Sequence, residues 1–223
     1  SHIVEFRNGE SGLHVLHIQT ITEMLLRQLV QKENNRYALS KEQIRMITTA
    51  SALHDIGKIS IPDEILNKPG RLTAEEFAVI KGHSMAGANM LSELPLDQKE
   101  EPLVKTAYEI CRWHHERYDG GGYPDGLKGE EIPVSAQVVA LADVYDALTS
   151  ERCYKDAYSH EKAIEMILAG QCGAFNPLML ECLLDISSSL KKKMGYKSKE
   201  RYEQTDLSDI ASRFHDFEMD SSE

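Results

Sequence analysis

Helical periodicity runs along almost the whole of this chain. Leu13, Leu16, Thr20 and Leu25, with Ile18 and Ile21 beside them, recur at the spacing of one helical face. Ser40-x-x-Gln43 reads as a capping box that opens a second helix, with Ile44, Ile47 and Leu53 on one side. Thr73-x-x-Glu76 is another, ahead of Phe77, Ile80, Gly87 and Leu91. A fourth helix begins near Pro102 and carries Leu103, Ala107, Ile110 and His114; a fifth spans roughly Val134 to Leu148; a sixth follows Ser159 through Ile164 and Leu168. A seventh has Asn176 as N-cap and Pro177 at its first position, the order those two residues prefer. No stretch alternates apolar and polar residues for long enough to suggest a sheet, so the expected class is all-α. Two long connections interrupt the helices. One covers Ile59 to Arg71; the other runs from Tyr118 to Pro133 and holds Gly120, Gly121, Gly122, Gly126 and Gly129. Loops of this length in a helical domain are usually functional. Residues 1–190 read as one domain and 191–223 as a polar extension, partly helical (around Leu207, Ile210 and Phe214) or disordered.

Charge and cysteine usage narrow the function. The formal net charge is -11, which argues against a nucleic-acid polymer or an anionic membrane as partner. A small anionic substrate remains compatible if cations are concentrated in a cleft. Cys111, Cys153, Cys172 and Cys182 form no C-x-x-C pair and read as reduced thiols. No run of about eighteen apolar residues is present and the N-terminus lacks a secretion-signal pattern, so a cytoplasmic location is expected.

The chemistry is carried by histidines and carboxylates. His54-Asp55 ends the second helix, His83 lies inside the third, His114-His115 ends the fourth, His14 lies on the first, and Asp143 lies within the fifth. Glu10 is four residues before His14 and shares its face if the helix extends that far back. A single histidine on an amphipathic helix is usually a core or surface residue, and His2, His17, His160 and His215 are read that way. A set drawn from several helices is different, because helical proteins build metal sites from inward-projecting ligands on facing helices. Imidazole and carboxylate donors suit Fe, Mn, Zn or Ni. Lys58 follows Asp55 by three residues and could neutralise a phosphoryl oxygen beside the metals; otherwise it is a solvated helix-end lysine.

These residues carry a resemblance. His54-Asp55-Ile56-Gly57-Lys58 resembles the signature of the HD phosphohydrolase superfamily, a weak motif alone. His114-His115-Glu116-Arg117-Tyr118-Asp119-Gly120-Gly121-Gly122-Tyr123-Pro124 is similar at every specified position to H-H-E-x-x-D-G-x-G-Y-P, the highly specific signature of the HD-GYP family. Ile61-Pro62-Asp63, Lys68-Pro69-Gly70 and the run from Ala142 to Ser150 resemble the family too, so the likeness covers roughly Glu10 to Leu184.

The resemblance implies a helical bundle of about seven core helices with two or three divalent metals, iron or manganese first and Zn, Ni or Mg next. It implies Glu10, His14, His54, Asp55, His83, His114, His115 and Asp143 as ligands, with Asp55 bridging and Glu10 completing a three-metal set. Asp55 and Lys58 would be catalytic; Lys58, Tyr123, Arg152 and Lys155 would hold substrate. The implied activity is hydrolysis of cyclic di-GMP to pGpG and further to GMP. The alternatives are hydrolysis of 3′,3′-cyclic GMP-AMP and a receptor that binds cyclic dinucleotides without turnover. Family members often carry an upstream receiver or sensor domain and use the GYP loop for protein contacts. Three positions depart from the family pattern: Ser84 and Cys153 replace prolines, and Asn176 replaces an aspartate, a change expected to be mild because both residues cap helices.

Overall fold

A computed structural model describes residues 13–33, 35–150 and 157–195. Among them the chain forms α1 (Leu13–Leu29), α2 (Lys41–Ala50), α3 (Asp63–Leu66), α4 (Ala74–Ser92), α5 (Leu96–Lys99), α6 (Pro102–Trp113), α7 (Val134–Thr149), α8 (His160–Leu168) and α9 (Pro177–Lys193), and no strand. The all-α expectation holds. The two short helices α3 and α5 were not expected from periodicity, because four residues are too few to show one.

The caps act as their residue types require. Ser40 accepts from the Gln43 backbone N–H and Thr73 from that of Glu76, and both capping boxes close reciprocally. Ser159 accepts from the Lys162 N–H and Asn176 from that of Leu178. Asn176 also donates through its amide to Gln137 Oε1 at 2.9 Å and to the Tyr37 hydroxyl at 3.0 Å. A carboxylate could not make those donations. At this position asparagine therefore joins α9 to α7 and to the chain ahead of α2, beyond the mild capping exchange expected.

Helix α7 is the centre of the molecule. It is buried on nearly every side, from Ser135 through Thr149, and it packs against α1, α6 and α8. The core joins Ile18, Ile21, Leu25 and Leu29 of α1 to Val138, Leu141 and Tyr145 of α7 and to Met179, Leu183 and Leu190 of α9. The inner stripe of α1 is thus 14, 18, 21, 25 and 29, with His14 at its start, whereas Leu13 and Leu16 face outward. Phe77 of α4 is likewise 49% exposed rather than packed inward.

The chain tightens after α2. A 3-10 turn over Ser51–Leu53 leads into His54-Asp55, and a second turn covers Ile56–Ser60. The pair therefore sits between two tight turns, one turn beyond the helix end expected. The second turn lies directly on α4: a Cβ at Gly57 would meet the His83 carbonyl oxygen at 1.9 Å. Only glycine permits that approach, which brings Asp55 and Lys58 against His83.

Candidate metal centre

Four of the five histidines, His14, His54, His83 and His114, arrive with one ring nitrogen already committed. His54 Nδ1 donates to the Ser51 carbonyl at 2.9 Å, His83 Nδ1 to that of Ile80 at 2.7 Å, and His114 Nδ1 to that of Ile110 at 2.8 Å. A carbonyl only accepts, so these rings carry the proton on Nδ1 and direct Nε2 elsewhere. For His14 the partner of Nδ1 is Asp146 Oδ2, at 2.7 Å.

The Nε2 atoms converge. Those of His14 and His54 are 3.4 Å apart; His83 Nε2 is 3.4 Å from that of His114 and 3.2 Å from that of His115. Asp55 stands between the two groups, with Oδ2 3.3 Å from His54 Nε2 and Oδ1 3.2 Å from His83 Nε2. Asp143 Oδ1 lies 3.8 Å from His14 Nε2 and 3.9 Å from His54 Nε2. Two donor sets result, each with its ligand atoms within 4.8 Å of one another: Asp55, His83, His114 and His115, and His14, His54 and Asp143. Lone pairs aimed at each other across such gaps repel unless a proton or a cation lies between them. The donor chemistry fits divalent ions.

The electrostatics agree. Burial pushes His114 down to about 3, helped by His54 and His83, and holds His115 well below the usual range, so both rings are neutral donors. Burial would also lower His54, but the charge and hydrogen bond of Asp55 outweigh it and lift His54 to about 9. Burial opposes the charge of Asp55, yet Lys58 and His54 hold its carboxyl well below the ordinary carboxylate range. The centre thus retains anionic Asp55 and attracts positive charge, which divalent ions would supply in place of the His54 proton. Lys58 Nζ lies 2.6 Å from Asp55 Oδ2.

The glycine-rich connection is bound to the same place. Glu116, buried, accepts from the backbone N–H groups of Asp125 and Gly126 through Oε1, at 2.7 and 3.0 Å. Asp125 accepts from Arg112 at 2.7 and 3.0 Å and from the Trp113 indole at 2.7 Å. Gly122 passes so close to the chain at Glu116 and Arg117 that a Cβ would meet Arg117 N at 2.4 Å. The loop thereby lays the Tyr123 ring on His115, 4.8 Å between centroids with planes 26° apart. Burial, then Asp55 and Asp143, raise the Tyr123 phenol, which keeps its proton.

Of the residues expected at the site, His14, His54, Asp55, Lys58, His83, His114, His115, Tyr123 and Asp143 come together here. Glu10, Arg152 and Lys155, with Cys153, lie outside the described residues. Two neighbours were missed. Asp146 is fully buried and accepts from His14 Nδ1, from His17 Nδ1 at 2.7 Å and from Ser150 Oγ at 2.9 Å. His17 is therefore a neighbour of the centre, one hydrogen bond removed. A spacing signal was present: His17 is three residues after His14 and Asp146 three after Asp143, so each shares a helical face with an expected ligand.

Comparison with known proteins gives the family. The family model described as the HD domain matches residues 12–175. This chain belongs to the HD-domain family. Within it, the HD-GYP resemblance of residues 114–124 stands. The HD domain is 42% identical over 188 residues to a Vibrio cholerae protein named probable cyclic di-GMP phosphodiesterase, covering 82% of this chain and 42% of that one. It is 39% identical over 182 residues to the same organism's 3′3′-cGAMP-specific phosphodiesterase 2, covering 82% and 32%. The chain spans less than half the length of these curated relatives. Among solved structures it shares its fold with Bd1817, a HDG"Y"P protein from Bdellovibrio bacteriovorus, with a TM-score of 0.58, 22% identity, and coverage of 78% and 51%. Among the described residues, no helix is long and apolar enough to cross a membrane.

Proposed function

We propose that this HD domain is a metal-dependent phosphodiesterase acting on cyclic di-GMP. The observation that carries the reading is the placement of Asp55 between two histidine-rich donor sets with Lys58 beside it. In this reading His14, His54 and Asp143 would hold one ion and His83, His114 and His115 a second, with Asp55 within reach of both sets. Glu10 would add a third. The family resemblance puts iron or manganese first, among the several first-row ions that these donors accept.

When bound, the ions supply Lewis acidity toward a phosphoryl oxygen and lower the pKa of a water. The residues do the rest. His83 and His114 are pinned through Nδ1, so their donor atoms need no reorganisation. Lys58, already ion-paired to Asp55, neutralises a non-bridging oxygen as charge builds there. The water oxygen bonds to phosphorus, the bond from phosphorus to the ribose 3′-oxygen breaks, and that oxygen takes up a proton. The product is linear pGpG, with GMP after a second cut. Tyr123 lines the substrate side, and Arg152 and Lys155 would bind phosphate.

Relatives named for each of two cyclic dinucleotides match at comparable identity, so the assay must include both. The protein is purified without oxygen, loaded with iron or manganese, given cyclic di-GMP or 3′,3′-cyclic GMP-AMP, and the nucleotides are separated by chromatography. The expected result is pGpG from cyclic di-GMP, abolished by chelator. Preferential cleavage of cyclic GMP-AMP would reassign the substrate. Tight binding without product from either, at full metal occupancy, would overturn the enzyme reading in favour of a receptor.

A further inference from the structure

Tyr123, which stacks on His115, is followed outward by a cation shared between two rings. Lys81 Nζ stands 5.6 Å from the Tyr123 ring centroid and 5.3 Å from that of Phe77. Phe77 and Lys81 are i and i+4 on α4, two turns or less before the ligand-bearing segment at His83, so one face of one helix presents both. Phe77 is half exposed, which wastes an aromatic ring unless something flat covers it. No carboxylate among the described residues pairs with Lys81, although the chain as a whole carries a net charge of -11. Among the described residues the cation faces two aromatic rings instead, an arrangement in which its N–H donors can serve a ligand.

We propose that Lys81 is a specificity-determining residue that reads a guanine base, with Phe77 as the platform on which that base stacks. The inference rests on the phosphodiesterase reading for its substrate class. A cyclic dinucleotide bound with one phosphate at Lys58 must set its purines against the walls around the centre. The wall beyond Tyr123 offers an exposed ring and an ammonium. Guanine presents N7 and O6 as adjacent acceptors, which an ammonium satisfies together; adenine presents N7 beside an amino group, which meets the ammonium donor to donor. Buried or partly buried donors left facing donors discriminate strongly. The same contact orients a mixed dinucleotide: 3′,3′-cyclic GMP-AMP would seat its guanine at Lys81 and present one of its two phosphodiesters to Lys58.

The test uses Lys81→Met, which keeps the stem and removes the charge, beside Lys81→Arg and Phe77→Ala in the metal-loaded protein. Equilibrium binding of cyclic di-GMP and cyclic di-AMP is measured for each. The wild type should prefer cyclic di-GMP, Lys81→Met should lose roughly tenfold or more of that preference, and Lys81→Arg should keep most of it. Phe77→Ala should weaken both ligands together. Hydrolysis of cyclic GMP-AMP gives a second readout: one linear isomer, pGpA or pApG, should dominate for the wild type and both should appear for Lys81→Met. Equal losses for both dinucleotides in Lys81→Met would show a phosphate contact rather than base reading and overturn the inference, as would no change. Absence of turnover by the wild type would sink the catalytic reading alone, because the binding ratio still decides the role of Lys81.

Discussion

Asp146 shows how a carboxylate that need touch no metal can govern a metal ligand. It receives the Nδ1 protons of His14 and His17 and the Ser150 hydroxyl, the first contact buried and the other two partly so. Burial opposes its charge, but the hydrogen bonds from His14 and His17 hold its carboxyl far below the ordinary range, so it stays anionic. The His14 ring is thereby fixed in the tautomer that aims Nε2 at His54 and Asp143. Asp146→Asn presents an amide N–H to one of these donors and should release the His14 ring. Metal affinity, measured by competition with a chromophoric chelator, should fall about 10- to 100-fold while the helical circular dichroism is kept. Unchanged affinity would mean that the backbone alone orients His14.

The turn from Ile56 to Ser60 is the element on which the centre depends most, and one glycine permits its position. Gly57→Ala would place a methyl 1.9 Å from the His83 carbonyl oxygen and 2.5 Å from Gly87 N, both backbone atoms that cannot rotate away. The turn must move off α4, carrying Asp55 and Lys58 from His83. We expect a fall in melting temperature together with lost metal, read by calorimetry and elemental analysis on the same sample. Gly82→Ala on the same helix is the control, since nothing lies within 4 Å of a Cβ there. It should be neutral or stabilise by up to about 1 kcal/mol through helix propensity, with metal content retained. If both variants behave alike, close packing at Gly57 does not position the centre.

Across the whole molecule, core and centre are separate sources of stability. The apolar core of α1, α2 and α6–α9 is extensive without any ligand residue in it. Metal removal should therefore lower the melting temperature without unfolding the domain, unlike a small structural zinc module. Thermal denaturation with and without chelator should show a drop of several degrees, reversed when metal is restored, at constant helical signal at 25 °C. A chelated protein that loses its helical signal would place the metal among the folding determinants; an unchanged midpoint would mean that no ion binds the native state with useful affinity.

Local chemistry explains what could be read before any coordinates. Helix starts were legible at Ser40, Thr73, Ser159 and Asn176 because a cap is a contact between residues three positions apart or fewer. The all-helical class followed from period, and the family from an unbroken signature at residues 114–124. Facing and distance were not legible. Leu13 and Leu16 fit a helical stripe as well as His14 and Ile18 do, and only packing against α7 and α9 selects the second set. His17 looked like any surface histidine until Asp146, 129 positions away, came within 2.7 Å of it. Lys81 and Phe77 carried no motif at all; they matter because a loop folded back from Glu116 lays Tyr123 beside them. Periodicity and capping are written within a few residues of sequence, whereas convergence of side chains from six segments depends on helix packing, which no local pattern encodes.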